Sequence, residues 1–257
     1  MNHRAKPRAR PALQNRIPII MKTLLVSSIL WAAVLPFAGT AQTVDNPATI
    51  PVYVTPFYDS KGPKIEVGEF SAGLASKDET TVVKTVRSMR QHWNRLSFES
   101  MYVAAIRLYD LGFRDESVYW FYSAQYRGRL FSVLVDPAAA QTMGQPGFER
   151  VHAHRSFFQL TGPYFNGYAF RDVGGLVNLV RKVQKEGAVL PDLQAAYPGI
   201  QFRQAKEWAG ANDQVNKGMT QLIDMLKKDR EMIIQQRIES GIEAKFSDLT
   251  NREMPME

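Results

Sequence analysis

Between Ser76 and Leu130 the apolar residues recur every three or four positions, the period of a helix buried along one face. Ser76-Lys77-Asp78-Glu79 has the spacing of a capping box, in which a hydroxyl and a carboxylate satisfy the free amides of a helix start. Val82, Val86, Met89 and Trp93 follow along a single apolar face. A second helix is predicted from about Phe98 to Leu111, with Met101, Ala104, Ala105, Leu108 and Leu111 on one side. It stops at Gly112, a residue able to take the left-handed conformation just past a helix end. Asp115-Glu116 then puts acids where the dipole of the next helix favours them. The stretch reads as an antiparallel helical hairpin.

Beyond Leu130 the periodicity weakens through Asp136-Pro137 and Met143-Gly144-Gln145-Pro146-Gly147, a predicted loop. Helices are expected from Phe148 to Leu160 and from Val173 to Glu186, separated by the glycine- and aromatic-rich run from Gly162 to Tyr168. A short helix from Leu190 to Tyr197 should end before Pro198. A long final pattern from near Asp213 uses Met219, Leu222, Ile223, Leu226, Ile233 and Ile238. Upstream, Val52-Tyr53-Val54 and Ile65-Glu66-Val67 flank the turn cluster from Asp59 to Pro63, so residues 42–75 read as an extended arm or a β-hairpin. The fold class is therefore mainly α, a single helical domain over 76–246 built on antiparallel helix hairpins. A polar tail, 247–257, is expected to fray.

Within 98–130, Ala105, Gly112, the Asp115-Glu116-Ser117 step, Phe121 and Ala124 resemble one tetratricopeptide-type hairpin. Those positions match the small residues, turn glycine, aromatic and alanine of that pattern. Ser117 stands where alanine is usual, the proline expected after Ala124 is missing, and no second copy follows at the same period. The resemblance implies one tetratricopeptide-like unit inside a helical domain.

Projected at about 100° per residue, the second helix of this hairpin has two distinct sides. Ser117, Phe121, Ala124 and Gly128 make a narrow face of mostly small residues suited to close packing. Tyr119, Tyr122, Tyr126 and Arg129 form a stripe nearly opposite, with Trp120 and Arg127 along one flank. Either a third element covers this stripe, or it is exposed and binds a partner. Tyr, Trp and Arg dominate interface energetics because they bury much area and still hydrogen-bond. These six residues are the candidate partner-binding set.

Charge changes the picture only after the N-terminus is set aside. Lys22, the apolar run from Leu24 to Phe37 and the small residues Gly39 and Ala41 have the layout of a cleaved secretory signal, giving a mature start at Gln42. The apolar run is short for a membrane span. Residues before Met21 are either an extended basic leader or sequence upstream of the true start. The chain holds 32 basic and 25 acidic residues; positions 1–41 contain six of the basic ones and no acid, which leaves 26 against 25. That balance argues against nucleic acid as a partner. With no cysteine, the chain has neither a disulfide nor a lipid-modified thiol, so no stable membrane anchor is expected after cleavage.

No nucleophile elbow, phosphate-binding glycine loop or paired-histidine zinc motif occurs, and no catalytic residue, metal or cofactor is assigned. His152 and His154 share a face on a strand but diverge on the helix expected there. Glu69, Glu99, Glu116 and Glu149 are available acids without a paired geometry. The expectation is an exported bacterial protein, periplasmic or secreted, that binds another protein. Its narrower form is an immunity-type inhibitor of an envelope-acting toxin. An envelope assembly scaffold and a motif-poor periplasmic hydrolase are the alternatives.

Overall fold

Helices form over most of the stretches whose periodicity predicts them, and a short one at Pro137–Gln141 falls within the run expected to be a loop. Side-chain caps at Asp78, Ser97, Asp136, Asp172 and Asp192 begin five of the described helices. A computed structural model of the chain describes residues 44–51 and 67–255. The expected signal segment and most of the arm, including Val52 to Val54 and Ile65-Glu66, lie outside the described residues. Among the described residues there are eleven α-helices and no strand; a single isolated bridge joins Val135 to Phe202. No helix among them is long and apolar enough to cross a membrane.

After a 3-10 turn at Gly68–Phe70 and the short α1 (Ser71–Leu74), α2 spans Glu79–Gln91. Helical backbone thus begins inside the stretch expected to be extended. The cap of α2 is also displaced from the expected box: Asp78 is the N-cap, its carboxylate accepting the Thr81 amide at 2.8 Å and hydroxyl at 2.5 Å. Ser76 instead accepts the Asp78 amide at 3.1 Å, one step upstream. A carboxylate at the N-cap also answers the positive end of the helix dipole. Trp93 falls in the next 3-10 turn, Trp93–Arg95.

Helix α3 (Phe98–Asp110) starts from Ser97, whose hydroxyl accepts the Ser100 amide at 3.2 Å. Gly112, at φ 87°, closes it. Phe113 N–H donates to Leu108 C=O at 2.9 Å and Gly112 N–H to Tyr109 C=O at 3.0 Å, the paired bonds of a Schellman ending. Helix α4 (Arg114–Leu134) then runs back along α3, pairing Phe121 with Tyr102 and Phe131 with Phe98. The predicted hairpin is antiparallel.

The remaining helices enclose α4. They are α5 (Pro137–Gln141), α6 (Pro146–Ala169), α7 (Val173–Gly187), α8 (Leu193–Ala196), α9 (Trp208–Lys228), α10 (Arg230–Glu239) and α11 (Ile242–Phe246). Helices α3, α6, α7 and α9 all pack against α4. Helix α6 passes unbroken through the run from Gly162 to Tyr168, which was expected to divide two elements, and it holds Pro163 in its interior. Phe165, fully buried, stacks on Phe121 at 4.4 Å, so core packing in this turn offsets the amide that proline lacks. Helix α9 begins at Trp208, earlier than Asp213, and α10 is a separate element after Asp229.

Two glycines let helices approach closely. A Cβ on Gly128 of α4 would overlap the His154 ring of α6, and one on Gly167 would overlap Phe246. Gly128→Ala is expected to destabilise the fold by roughly 1–3 kcal/mol, the usual cost of overfilling a packed core. A lowered urea midpoint with an unchanged slope would record it.

Candidate functional site

The six residues of the aromatic and basic stripe are buried, so of the two readings of the stripe the structure has the covered one, and their assignment as a partner-binding surface is corrected. Trp120 is 0% exposed, Tyr122 2%, Tyr126 3%, Arg127 5%, Tyr119 6% and Arg129 7%. The physical reason is the number of neighbours: α3, α6, α7 and α9 pack against α4 and bury the stripe, and its first turns, at Asp115, Glu116 and the edge of Tyr119, reach the surface. Each tyrosine spends its hydroxyl internally. Tyr122 donates to Asn166 Oδ1 of α6 at 3.0 Å, Tyr126 to Asn212 Oδ1 of α9 at 2.7 Å and Tyr119 to Glu186 Oε2 of α7 at 2.6 Å. Burial pushes all three phenols well above their ordinary range, and the Glu186 carboxylate adds to this at Tyr119.

The two arginines are buried cations. Arg127 donates to Leu96 C=O at 2.6 Å and Trp93 C=O at 3.2 Å. Arg129 lies among Tyr102, Tyr122 and His154. Desolvation brings both guanidinium groups down to about 10. Asn212 joins these layers, because its side-chain amide also donates to the Gly187 and Ala188 carbonyls at 3.1 Å and so closes the end of α7.

A second buried polar group centres on α3 and α6. Glu99, fully buried, accepts from Arg150 at 2.6 Å, while its Oε2 has no hydrogen-bond partner. Loss of hydration raises the Glu99 carboxyl above its usual range, against the pull of Arg150. Tyr102 receives a bond from Gln125 at 2.7 Å and lies 3.1 Å from His154 Nδ1. His154 is held down to about 3, first by burial and then by the Arg129 and Arg155 charges. It is a neutral imidazole wedged on Gly128. His152 is exposed and rests against Phe148, so the histidine pair diverges as its helical spacing requires. No cluster of three or more metal-ligating acids or histidines exists among the described residues. Glu69, Glu99, Glu116 and Glu149 sit on four different elements: the first 3-10 turn, α3, α4 and α6.

Surface concavity occurs along the outer side of α7, where Tyr119 is the stripe residue that borders it. A cleft of about 430 Å³ lies between the start of α4, α7 and the segment Asn251–Met254, with Tyr119, Leu179 and Met254 in its lining and Glu116, Lys182 and Glu253 among its charges. A neighbouring hollow of about 260 Å³ shares Asp115 and Leu179 with it and includes Tyr168, Arg171 and Asp172. The Tyr168 hydroxyl donates to Asp115 Oδ1 at 2.8 Å. Burial and that bond push the phenol up to about 12. The Lys182 ammonium lies 4.3 Å from the centre of the Tyr119 ring, and the Arg171 guanidinium 4.1 Å from that of Tyr168.

The wall of this trough is the C-terminal segment that was expected to fray. Arg252 N–H donates to Gly112 C=O at 2.8 Å, its guanidinium to Leu111 C=O at 2.8 Å and to both oxygens of Glu79 at 3.0 Å. Asn251 Oδ1 accepts the Asp115 amide at 3.0 Å, and Thr250 C=O accepts from Arg114 at 2.5 Å. One short segment thus satisfies the carbonyls at the end of α3 and an open amide at the start of α4. Leu179 and Lys182 were absent from the sequence-based candidates although the outward face of α7 follows from its periodicity; the docking of 250–255 has no local sequence signal.

No protein-family model and no solved structure matches this chain. It is similar to an uncharacterized protein of Haemophilus influenzae (strain ATCC 51907 / DSM 11121 / KW20 / Rd), 28% identical over 126 residues, covering 48% of this chain and 46% of that protein. The match spans about half the length of this relative.

Because the stripe is core, Tyr122→Ala and Tyr126→Ala are each expected to cost roughly 3–5 kcal/mol of stability, measured by urea unfolding. The histidine gives a pH dependence. Its folded pKa of about 3 lies below the 6.5 of the free side chain, so the contribution of neutral His154 is complete above pH 6.5 and is lost as pH falls toward 3. His154→Gln should flatten the decline of stability between pH 6.5 and 5, above the range in which most carboxylates titrate.

Proposed function

We propose that this chain is an exported protein that binds another protein, and that the trough along α7 receives it. The observation that carries this reading is the cleft of about 430 Å³ bordering the hollow of about 260 Å³. Together they offer apolar surface from Leu179 and Met254 between charges of both signs, the composition of an interface with a wet, polar rim. Export is supported by the signal-like pattern from Met21 to Ala41. The narrower form of the proposal is an immunity-type inhibitor, in which the trough grips one projecting segment of an envelope-acting toxin. The near-balanced charge of residues 42–257 favours a protein partner over nucleic acid.

Affinity capture with residues 42–257, compared between the wild type and Leu179→Arg, tests the site. Leu179 is only half-buried, so the variant should fold, as circular dichroism would establish. One stoichiometric partner bound by the wild type and lost from the variant is the expected result. Equal capture by both would overturn the placement of the site. Several envelope components in place of one would move the reading from inhibitor to scaffold.

A further inference from the structure

The seam between α4 and α7 contains a charge arrangement that direct contacts leave incomplete. Arg127 is buried and carries two backbone carbonyls as partners; among the described residues no carboxylate ion-pairs with it. Ser123, one helical turn earlier and 3% exposed, has a hydroxyl without a hydrogen-bond partner. A serine within a helix ordinarily turns its hydroxyl back to the carbonyl four residues before. Ser123 does not, and it lines a void, open to solvent on the side of the exposed Val189, together with Arg127 and Glu186 of α7; Trp93, Met101 and Val183 supply apolar wall.

We propose that this void is a binding site for one water molecule, which bridges Arg127, Ser123 and Glu186 and makes a solvent-separated ion pair across the α4–α7 seam. The size fits. The space open to the centre of a water-sized sphere is about 10 Å³, where one water needs about 10–15 Å³ and a second would need as much again. The chemistry fits as well. A water accepts from a guanidinium N–H, donates to a carboxylate oxygen and exchanges a hydrogen bond with the serine, giving the three partners typical of buried waters. Glu186, a lining residue, already accepts the Tyr119 hydroxyl through Oε2 at 2.6 Å, which fixes its side chain and leaves Oε1 for a further bond. A small anion would be attracted by Arg127 and repelled by Glu186, and a cation the reverse. A neutral donor and acceptor is the occupant that both charges tolerate.

A crystal structure of residues 42–257 at high resolution tests this directly. The expected result is a density peak about 2.6–3.2 Å from Ser123 Oγ, Arg127 and Glu186, unchanged when crystals are soaked in bromide. Ser123→Ala should lower Tm by about 2–4 °C, and its effect should be non-additive with that of Glu186→Gln. An empty void, a bromide signal at the site, or direct contact between Arg127 and Glu186 would overturn the assignment. So would a Ser123→Ala variant whose Tm is unchanged or raised, because removing an unhydrated buried hydroxyl relieves a cost.

Discussion

Helix α4 is packed against four others, and most of the buried polar side chains along it are satisfied by neighbouring helices. In the low dielectric of the interior an unmade hydrogen bond is costly, while a made one is strong and directional. The hydroxyls of Tyr119, Tyr122 and Tyr126 accordingly reach three different helices, α7, α6 and α9. Gln125 reaches α3 through Tyr102, and Arg127 holds the chain between α2 and α3 through the Leu96 and Trp93 carbonyls. Each bond fixes the rotation of a neighbouring helix about its own axis, which apolar packing alone would leave loosely specified. The bundle is arranged around this polar spine as much as around its aromatic core.

The same enclosure explains what could be read from the sequence. The hairpin was legible because its signals are local: the periodicity of Met101 to Leu111, the glycine at 112 and the acids at 115 and 116 act within a few residues of one another. The stripe from Tyr119 to Arg129 was legible as a stripe, but whether it faced solvent depended on elements more than forty residues away, such as Asn166 and Asn212. A helix polar on several sides is usually exposed on one of them; here long-range partners reverse that expectation. Helix α6 was hidden for a related reason. Glycines and Pro163 argue locally for a break, and only the stacking of Phe165 on Phe121 accounts for a continuous helix.

The surface trough was illegible for a different cause. Leu179 and Lys182 stand on a helix whose outward face could be projected, yet a cleft needs an opposing wall, and that wall is a segment without regular structure. Arg252 binds carbonyl oxygens at Leu111 and Gly112, groups that every residue carries and that no composition or motif singles out. Side chains that recognise backbone leave no matching residue type on the other side of the contact.

This C-terminal attachment also bears on the order in which the chain can mature. Asn251 and Arg252 meet Asp115 and Glu79 across 136 and 173 residues of sequence, and they follow every described helix. The turn between α3 and α4 is made well before that segment, so its open carbonyls and amide wait for residues that follow every described helix. Until that segment arrives the hairpin turn remains hydrated and the trough has one wall. The second wall of the trough is thus supplied by residues that follow every described helix, which ties the trough to the packing of the elements before it.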